Sequence, residues 1–154
     1  MPVTALPQGN RLRAGRFSEA GRIYLLTAVV HNRQCLFADW RLGRLVAHEL
    51  RLAEDLALAR SLAWVVMPDH LHWLVELEGA SLDGLMQRVK SRSAKAINTV
   101  RQTQGKIWQK GYHDHAVRRE ESLKTLARYV VANPLRAGLV ERIGDYPLWD
   151  AIWL

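Results

Sequence analysis

His70 and His72 stand two residues apart in Pro68-Asp69-His70-Leu71-His72-Trp73-Leu74-Val75-Glu76. In a strand, side chains two apart point to the same face. The other parity, Leu71, Trp73, Val75 and Leu77, is wholly apolar and can pack on a core. Two imidazoles side by side on one sheet face suit a divalent cation. One pair is not a metal site, so other ligands must come from elsewhere. Tyr129 and Asn133 are four apart, one helical turn along one side of a helix. Tyr129 falls at the edge of an apolar stripe of Leu123, Leu126, Ala127, Val130 and Pro134. A tyrosine there lays its ring on apolar neighbours and still presents its hydroxyl. Asn133 offers a carbonyl oxygen, a third ligand for a hard cation. On spacing alone, such a tyrosine is more often packing than chemistry. Tyr112 is the rival nucleophile, and Tyr129 is preferred because it shares a face with a ligand candidate.

The elements that must position these groups follow from periodicity. Residues 22–31 are β-branched and apolar on both parities, as in a central strand. Asp39 can cap a helix over roughly 40–60, with Leu42, Leu45, Val46, Leu50, Ala53 and Leu56 at helical spacing. A strand from Leu62 to Met67, a Pro68-Asp69 turn and the His-Leu-His strand to Leu77 make a hairpin. Ser81 is a good N-cap for a helix over about 82–101. Residues 107–117 read as one strand or two short ones. Ser122 can cap a third helix, which Pro134 is expected to end near Asn133. The tail is irregular, but Trp149, Ile152 and Trp153 should fold back on the core. The order predicts an α+β fold: a ferredoxin-like βαββαβ antiparallel sheet, helices on one face, and a further C-terminal helix. Residues 1–154 read as one domain, with 1–20 a basic arm and 135–154 a tail.

Composition narrows the partners. The chain carries 22 Lys and Arg against 15 Asp and Glu, a net charge of +7. That balance favours a polyanion, and the dominance of arginine suits phosphate. Apolar content of 49% fits a globular protein. No run reaches the ~18 apolar residues of a bilayer span, so no membrane role is expected. No charged start precedes an apolar block, so no secretion signal is expected. The single cysteine, Cys35, excludes an internal disulfide and fits a reducing cytoplasm.

Four blocks carry a more specific signal. Pro68-Asp69-His70-Leu71-His72-Trp73-Leu74-Val75 resembles the His-hydrophobic-His motif of single-tyrosine transposases. Residues 85–91, 107–115 and 128–140, the last containing Tyr129-Val130-Val131-Ala132-Asn133-Pro134-Leu135-Arg136-Ala137-Gly138, look like three blocks of one branch. That branch is the REP-associated tyrosine transposases, which act on repetitive extragenic palindromes. The likeness runs from about residue 11 to 150, with the blocks in the right order.

The resemblance implies a metal-dependent DNA endonuclease and strand transferase acting on single-stranded or hairpin DNA. Tyr129 would form a 5′-phosphotyrosine link. His70, His72 and Asn133 would hold Mg²⁺ or Mn²⁺. Arg11, Arg13 and Arg16 would read bases beside the hairpin foot, and Arg88, Lys90, Arg92 and Lys95 would contact stem phosphates. His113-Asp114-His115 is a second His-x-His. His115 is an auxiliary candidate, better read as a structural or DNA hydrogen bond than as a ligand. Relatives outside the branch form dimers with shared active sites, whereas members of the branch can act as monomers. A monomer is therefore favoured, with a dimer open. A cytoplasmic, nucleoid-associated location follows from the substrate. The rival expectation is a REP-hairpin binding protein or repressor without turnover.

Overall fold

The computed structural model describes residues 21–118 and 122–153. Arg11, Arg13, Arg16 and the rest of the expected basic arm lie outside those residues. The first element is strand β1, Ile23–Val29. Two short 3₁₀ turns, His31–Arg33 and Leu36–Ala38, lead to helix α1, Trp40–Asp55. Strands β2, Ala59–Met67, and β3, His70–Leu77, form a hairpin closed by Pro68 and Asp69. Helix α2, Leu82–Arg101, follows, then strand β4, His113–Ala116. Helix α3, Leu123–Val131, is succeeded by the single turn α4, Asn133–Arg136, and strand β5, Trp149–Ala151. The sheet order is β4-β1-β3-β2-β5, with every pair antiparallel. The first four strands with α1 and α2 realise the expected ferredoxin-like pattern. The fifth strand is an addition from the tail.

The caps read from sequence form. Asp39 Oδ1 accepts from the Arg41 N–H at 3.1 Å, and Ser81 Oγ accepts from the Gly84 N–H at 3.1 Å. Ser122 Oγ accepts from the Thr125 N–H at 3.2 Å. Each such cap is worth about 1 kcal/mol to its helix. Several boundaries differ: β1 is Ile23–Val29 rather than 22–31, and β2 begins at Ala59 rather than Leu62. Helix α1 stops at Asp55 rather than near 60, because Ala57 turns back with φ 57° and Ala59 already pairs with Leu77. Over residues 107–117 only His113–Ala116 is a strand. Trp108 makes a single bridge to Val30.

The third helix ends near Asn133, as expected from Pro134, but the chain does not leave helical geometry there. The α3 helix closes at Ala132, and Pro134 sits in the first turn of α4, where its missing N–H is not needed. The tail does fold back, through Trp149, half-buried in β5, and through residues not expected to do so. Tyr146, Leu148 and Ala151 are buried, whereas Ile152 is 50% exposed and Trp153 36%. Leu148 lies so close to α1 that a Cβ on Gly43 would run into it.

The two sheet faces differ in cover. On β1, Tyr24, Leu26 and Ala28 are buried, while Ile23, Leu25, Thr27 and Val29 are only half-buried. The buried parity continues through Leu71, Trp73, Val75 and Leu77 of β3, as their apolar character predicts. Strand β2 is buried on both parities at Ala63, Val65, Val66 and Met67. Both α1 and α3 pack against it, and α3 also touches β3 and β5. The second face is therefore covered at the β2 side and left accessible toward β1 and β4. No helix among the described residues is long and apolar enough to cross a membrane.

Candidate active site

Register places the two imidazoles on the less covered face. His72 pairs with Thr27 of β1 and Val65 of β2, and His70 pairs with Val29 and Met67. Their ring centroids are 4.7 Å apart in an edge-on arrangement. Each ring is fixed through the same nitrogen. His70 Nδ1 donates to Asp69 Oδ1 at 2.7 Å, and His72 Nδ1 is hydrogen-bonded to Thr27 Oγ1 at 2.9 Å. That leaves Nε2 of both rings as the outward donor atom, the arrangement in which a second group orients a metal-binding histidine. Burial holds the His72 pKa down to about 4, helped by His70 and then by the charge of Arg136. His72 is therefore neutral at pH 7, as a ligand imidazole must be.

Among the described residues no group of three His, Cys, Asp or Glu could hold a metal ion. The pair accordingly needs an amide oxygen, a phosphate or water to complete a coordination sphere. Asn133 starts α4, where its Nδ2 donates to the carbonyls of Val130 at 2.8 Å and Tyr129 at 3.3 Å. With the amide nitrogen turned to the backbone, Oδ1 is the atom left for a hard cation. His115 does not join the pair. It lies on β4, paired with Leu25 on the same sheet face, and is buried. His113 pairs with Thr27, one strand beyond it from His72, so the two backbones are about 10 Å apart.

Of the chain's four tyrosines, Tyr24 and Tyr146 are buried, and the hydroxyl of Tyr112 donates to Asp83 Oδ1 at 2.5 Å. Tyr129 is the exposed one, at 53%. The Arg136 guanidinium carbon lies 4.1 Å from the centroid of its ring, and Arg136 Nη2 donates to the Tyr129 carbonyl at 2.8 Å. The charge of the same guanidinium also contributes to lowering the His72 pKa, so one cation of α4 bears on both the exposed phenol and an imidazole of the pair. Sequence reasoning missed Arg136, although it lies in the same block as Tyr129. It missed Asp69 and Thr27 as well. Thr27, the one aliphatic hydroxyl in an otherwise apolar strand, was the available signal.

The four basic residues of α2 differ in what they touch. Lys90 Nζ donates to the carbonyl of Gln109 at 2.8 Å and to that of Gly111. Arg92 Nε donates to Glu49 Oε1 at 2.9 Å, clipping α2 to α1. Arg88 is half-buried, and its Nε has no hydrogen-bond partner among the described residues. Lys95 is exposed.

Comparison with known proteins agrees with this architecture. The sequence profile of the family described as "Transposase IS200 like" matches residues 22–133. A REP-associated tyrosine transposase of Escherichia coli (strain K12) is 26% identical over 87 residues, 55% of this chain and 50% of that one. The chain thus matches about half the length of that relative. A putative REP-associated tyrosine transposase of Haemophilus influenzae is 24% identical over 138 residues, covering 82% and 78%. Among solved structures, a REP-associated tyrosine transposase bound to a REP hairpin superposes with a TM-score of 0.70 at 23% identity. That superposition covers 87% of this chain and 79% of that one. A putative transposase from Deinococcus radiodurans R1 gives a TM-score of 0.54 at 20% identity, covering 75% and 93%. The chain belongs to the IS200-like transposase family, and the curated relatives it matches are REP-associated tyrosine transposases.

Proposed function

We propose that this chain is a DNA endonuclease and strand transferase acting on REP-type hairpins, with Tyr129 as nucleophile. His70, His72 and Asn133 are the proposed ligands of a divalent cation, Mg²⁺ or Mn²⁺. The observation that best supports this reading is the Arg136 guanidinium, stacked on the exposed phenol and acting on an imidazole anchored for ligation. When bound, the cation would draw charge from a nonbridging phosphate oxygen and orient the ester for in-line attack.

The chain's own residues do the rest. Asp69 and Thr27 hold the two Nε2 atoms toward the accessible face. Arg136 limits rotation of the Tyr129 ring and adds positive charge where the phosphate must sit. Tyr129 Oη attacks phosphorus, and the Oη–P bond forms as the bond to the 3′-oxygen breaks. The 5′ side of the DNA stays on the tyrosine, the phenol proton passes to solvent, and the departing 3′-oxygen takes up a proton. Attack by a 3′-hydroxyl reverses the step and rejoins a strand. The phosphodiester energy is conserved, so no nucleotide cofactor is needed. Hairpin DNA as the partner is supported by the neighbour solved with a REP hairpin and by the net charge of +7. Such a substrate places the protein with the chromosome in the cytoplasm.

The deciding experiment incubates the protein and Mn²⁺ with an end-labelled palindromic hairpin and resolves the products on a denaturing gel. A covalent band removed by protease is the expected result. A shift seen only on a native gel would replace this reading with a hairpin-binding protein that does not turn over.

A further inference from the structure

Helix α1 has two unlike faces. Leu42, Val46, Leu50 and Ala53 are buried, whereas Trp40, Arg44, His48 and Arg51 are exposed. Steps of four, four and three put these last residues on one side of the helix. Trp40 is 50% exposed, so its ring is not spent on the core. Arg44, His48 and Arg51 line a groove of about 680 Å³ between α1 and the β2–β5 edge, with Trp64 also in its lining. Trp40 and Arg44 line an adjoining hollow, so Arg44 is common to both.

The carboxylates nearby are largely committed. Asp39 holds the Arg41 guanidinium at 2.9 Å. Glu54 Oε1 accepts from the Ser61 N–H, and Asp150 Oδ1 from the Ala151 N–H, each at 2.8 Å. Among the described residues, Arg44 and Arg51 have no hydrogen-bond or ion-pair partner. An aromatic platform followed by unpaired cations is the chemistry of single-stranded nucleic acid, whose bases stack and whose phosphates need neutralising. The groove also has apolar lining in Trp64 and Ile152, but the exposed side of the helix itself presents one aromatic ring and then cations, a pattern that suits nucleic acid better than an apolar partner.

Position relates the face to the imidazoles. The Phe37 N–H donates to the Pro68 carbonyl at 2.9 Å, pinning the turn before α1 to the hairpin that presents His70. Trp40 begins α1 three residues beyond Phe37, so the aromatic end of the face is the end tied to this hairpin. From Trp40 to Arg51 the helix rises about 16 Å, roughly five nucleotides at the ~3.4 Å spacing of one stacked strand.

We propose that the Trp40–Arg44–His48–Arg51 face of α1 is a second nucleic-acid site that carries unpaired DNA flanking the hairpin. Trp40 stacks on a base, and Arg44 and Arg51 contact phosphates. The proposal rests on reading the chain as a DNA-processing protein, but not on its chemistry. Its test is affinity, measured for a hairpin with and without a ~5-nucleotide unpaired thymidine extension, and for oligothymidylate alone.

Trp40→Ala and the double variant Arg44→Ala/Arg51→Ala should weaken the extended hairpin and oligothymidylate about tenfold, and leave the bare hairpin within about twofold. Trp40→Phe should recover most of the loss, which separates stacking from misfolding. The double variant should also flatten the salt dependence for the extended hairpin by about 1.4 in log–log slope. An equal loss on all three probes, or none on any, overturns the proposal. Absence of a covalent adduct with every hairpin would defeat the catalytic reading alone, because the difference between extended and bare probes would still report on this face.

Discussion

The Arg136 guanidinium carbon lies 4.1 Å from the centroid of the Tyr129 ring, while Arg136 Nη2 donates to the carbonyl of that same tyrosine. Stacking and hydrogen bond together fix α4 against the last turn of α3. They also bring a permanent charge, one that no accessible pH removes, beside an exposed phenol.

Tyr129→Phe should abolish the covalent adduct and cleavage of a labelled hairpin while leaving its native-gel affinity intact. The ring and its stacking partner are kept, so only the attacking oxygen is lost. Cleavage by this variant at the wild-type rate would remove Tyr129 as the nucleophile.

Arg136→Ala should slow adduct formation about tenfold, in keeping with loss of one cation–π contact and one charge beside the phosphate. Arg136→Lys keeps charge but not the planar stack, so it should recover only part of the rate. Single-turnover rates at saturating protein separate this from weakened binding. Full recovery by lysine would reduce the role to charge alone.

Chelation should stop adduct formation, and Mn²⁺ or Mg²⁺ should restore it. His70→Ala and His72→Ala should each block that restoration. Thr27→Val removes the partner of His72 Nδ1 and should lower metal affinity about tenfold, read as a midpoint shifted to higher Mn²⁺ in a titration. An unshifted midpoint would detach Thr27 from the site.

Lys90 and Lys95 should separate cleanly. Lys90→Met loses two carbonyl contacts to the 109–111 loop and should cost ~1–2 kcal/mol in denaturant unfolding. Lys95→Ala should leave stability within ~0.5 kcal/mol and lower the salt slope of hairpin binding by about 1. The opposite pattern would exchange their roles.

Tyr146 should make the protein sensitive to alkali. Burial raises its pKa to about 12, and its hydroxyl donates to the Val66 carbonyl at 2.6 Å. An unfolded tyrosine ionises near ~10. The native state therefore holds the proton more tightly, and this stabilisation is complete below pH ~10 and lost as pH rises through about 12. Tyr146→Phe should cost ~1 kcal/mol at neutral pH and flatten stability across that window in urea melts. An unchanged slope would place the alkaline sensitivity elsewhere.

Much of this architecture was legible because its signals are local. Alternation put Leu71, Trp73, Val75 and Leu77 inward and His70 and His72 on the other face, and pairing with β1 and β2 keeps them there. The caps Asp39, Ser81 and Ser122 marked three helix starts. The tail was harder. Trp149–Ala151 is too short to show alternation, and its pairing with β2 is a tertiary event. Apolar character alone also misplaced Ile152 and Trp153, which stay exposed, while the hydroxyl of Tyr146 reaches β2.

The candidate site shows the same division. Spacing gave the imidazole pair and the Tyr129–Asn133 relation. Arg136 lies seven residues from Tyr129 across the break at Ala132, so helical periodicity could not assign its ring contact. Alternation put Trp73 inside, but nothing in the sequence showed that Trp40 would stay outside. Trp73 and Trp108 are buried, but Trp40 is half exposed.

The strand that follows the tyrosine helix also decides whose tyrosine it is. Helix α3 lies on β2 and β3, and the chain beyond it is moored to β2 by β5 and to α1 by Leu148. Two copies trading this helix would each have to strip an edge from the sheet and bring Tyr146, Leu148 and Ala151 into water. The fold therefore favours a molecule in which Tyr129 stays with the His70 and His72 of its own chain.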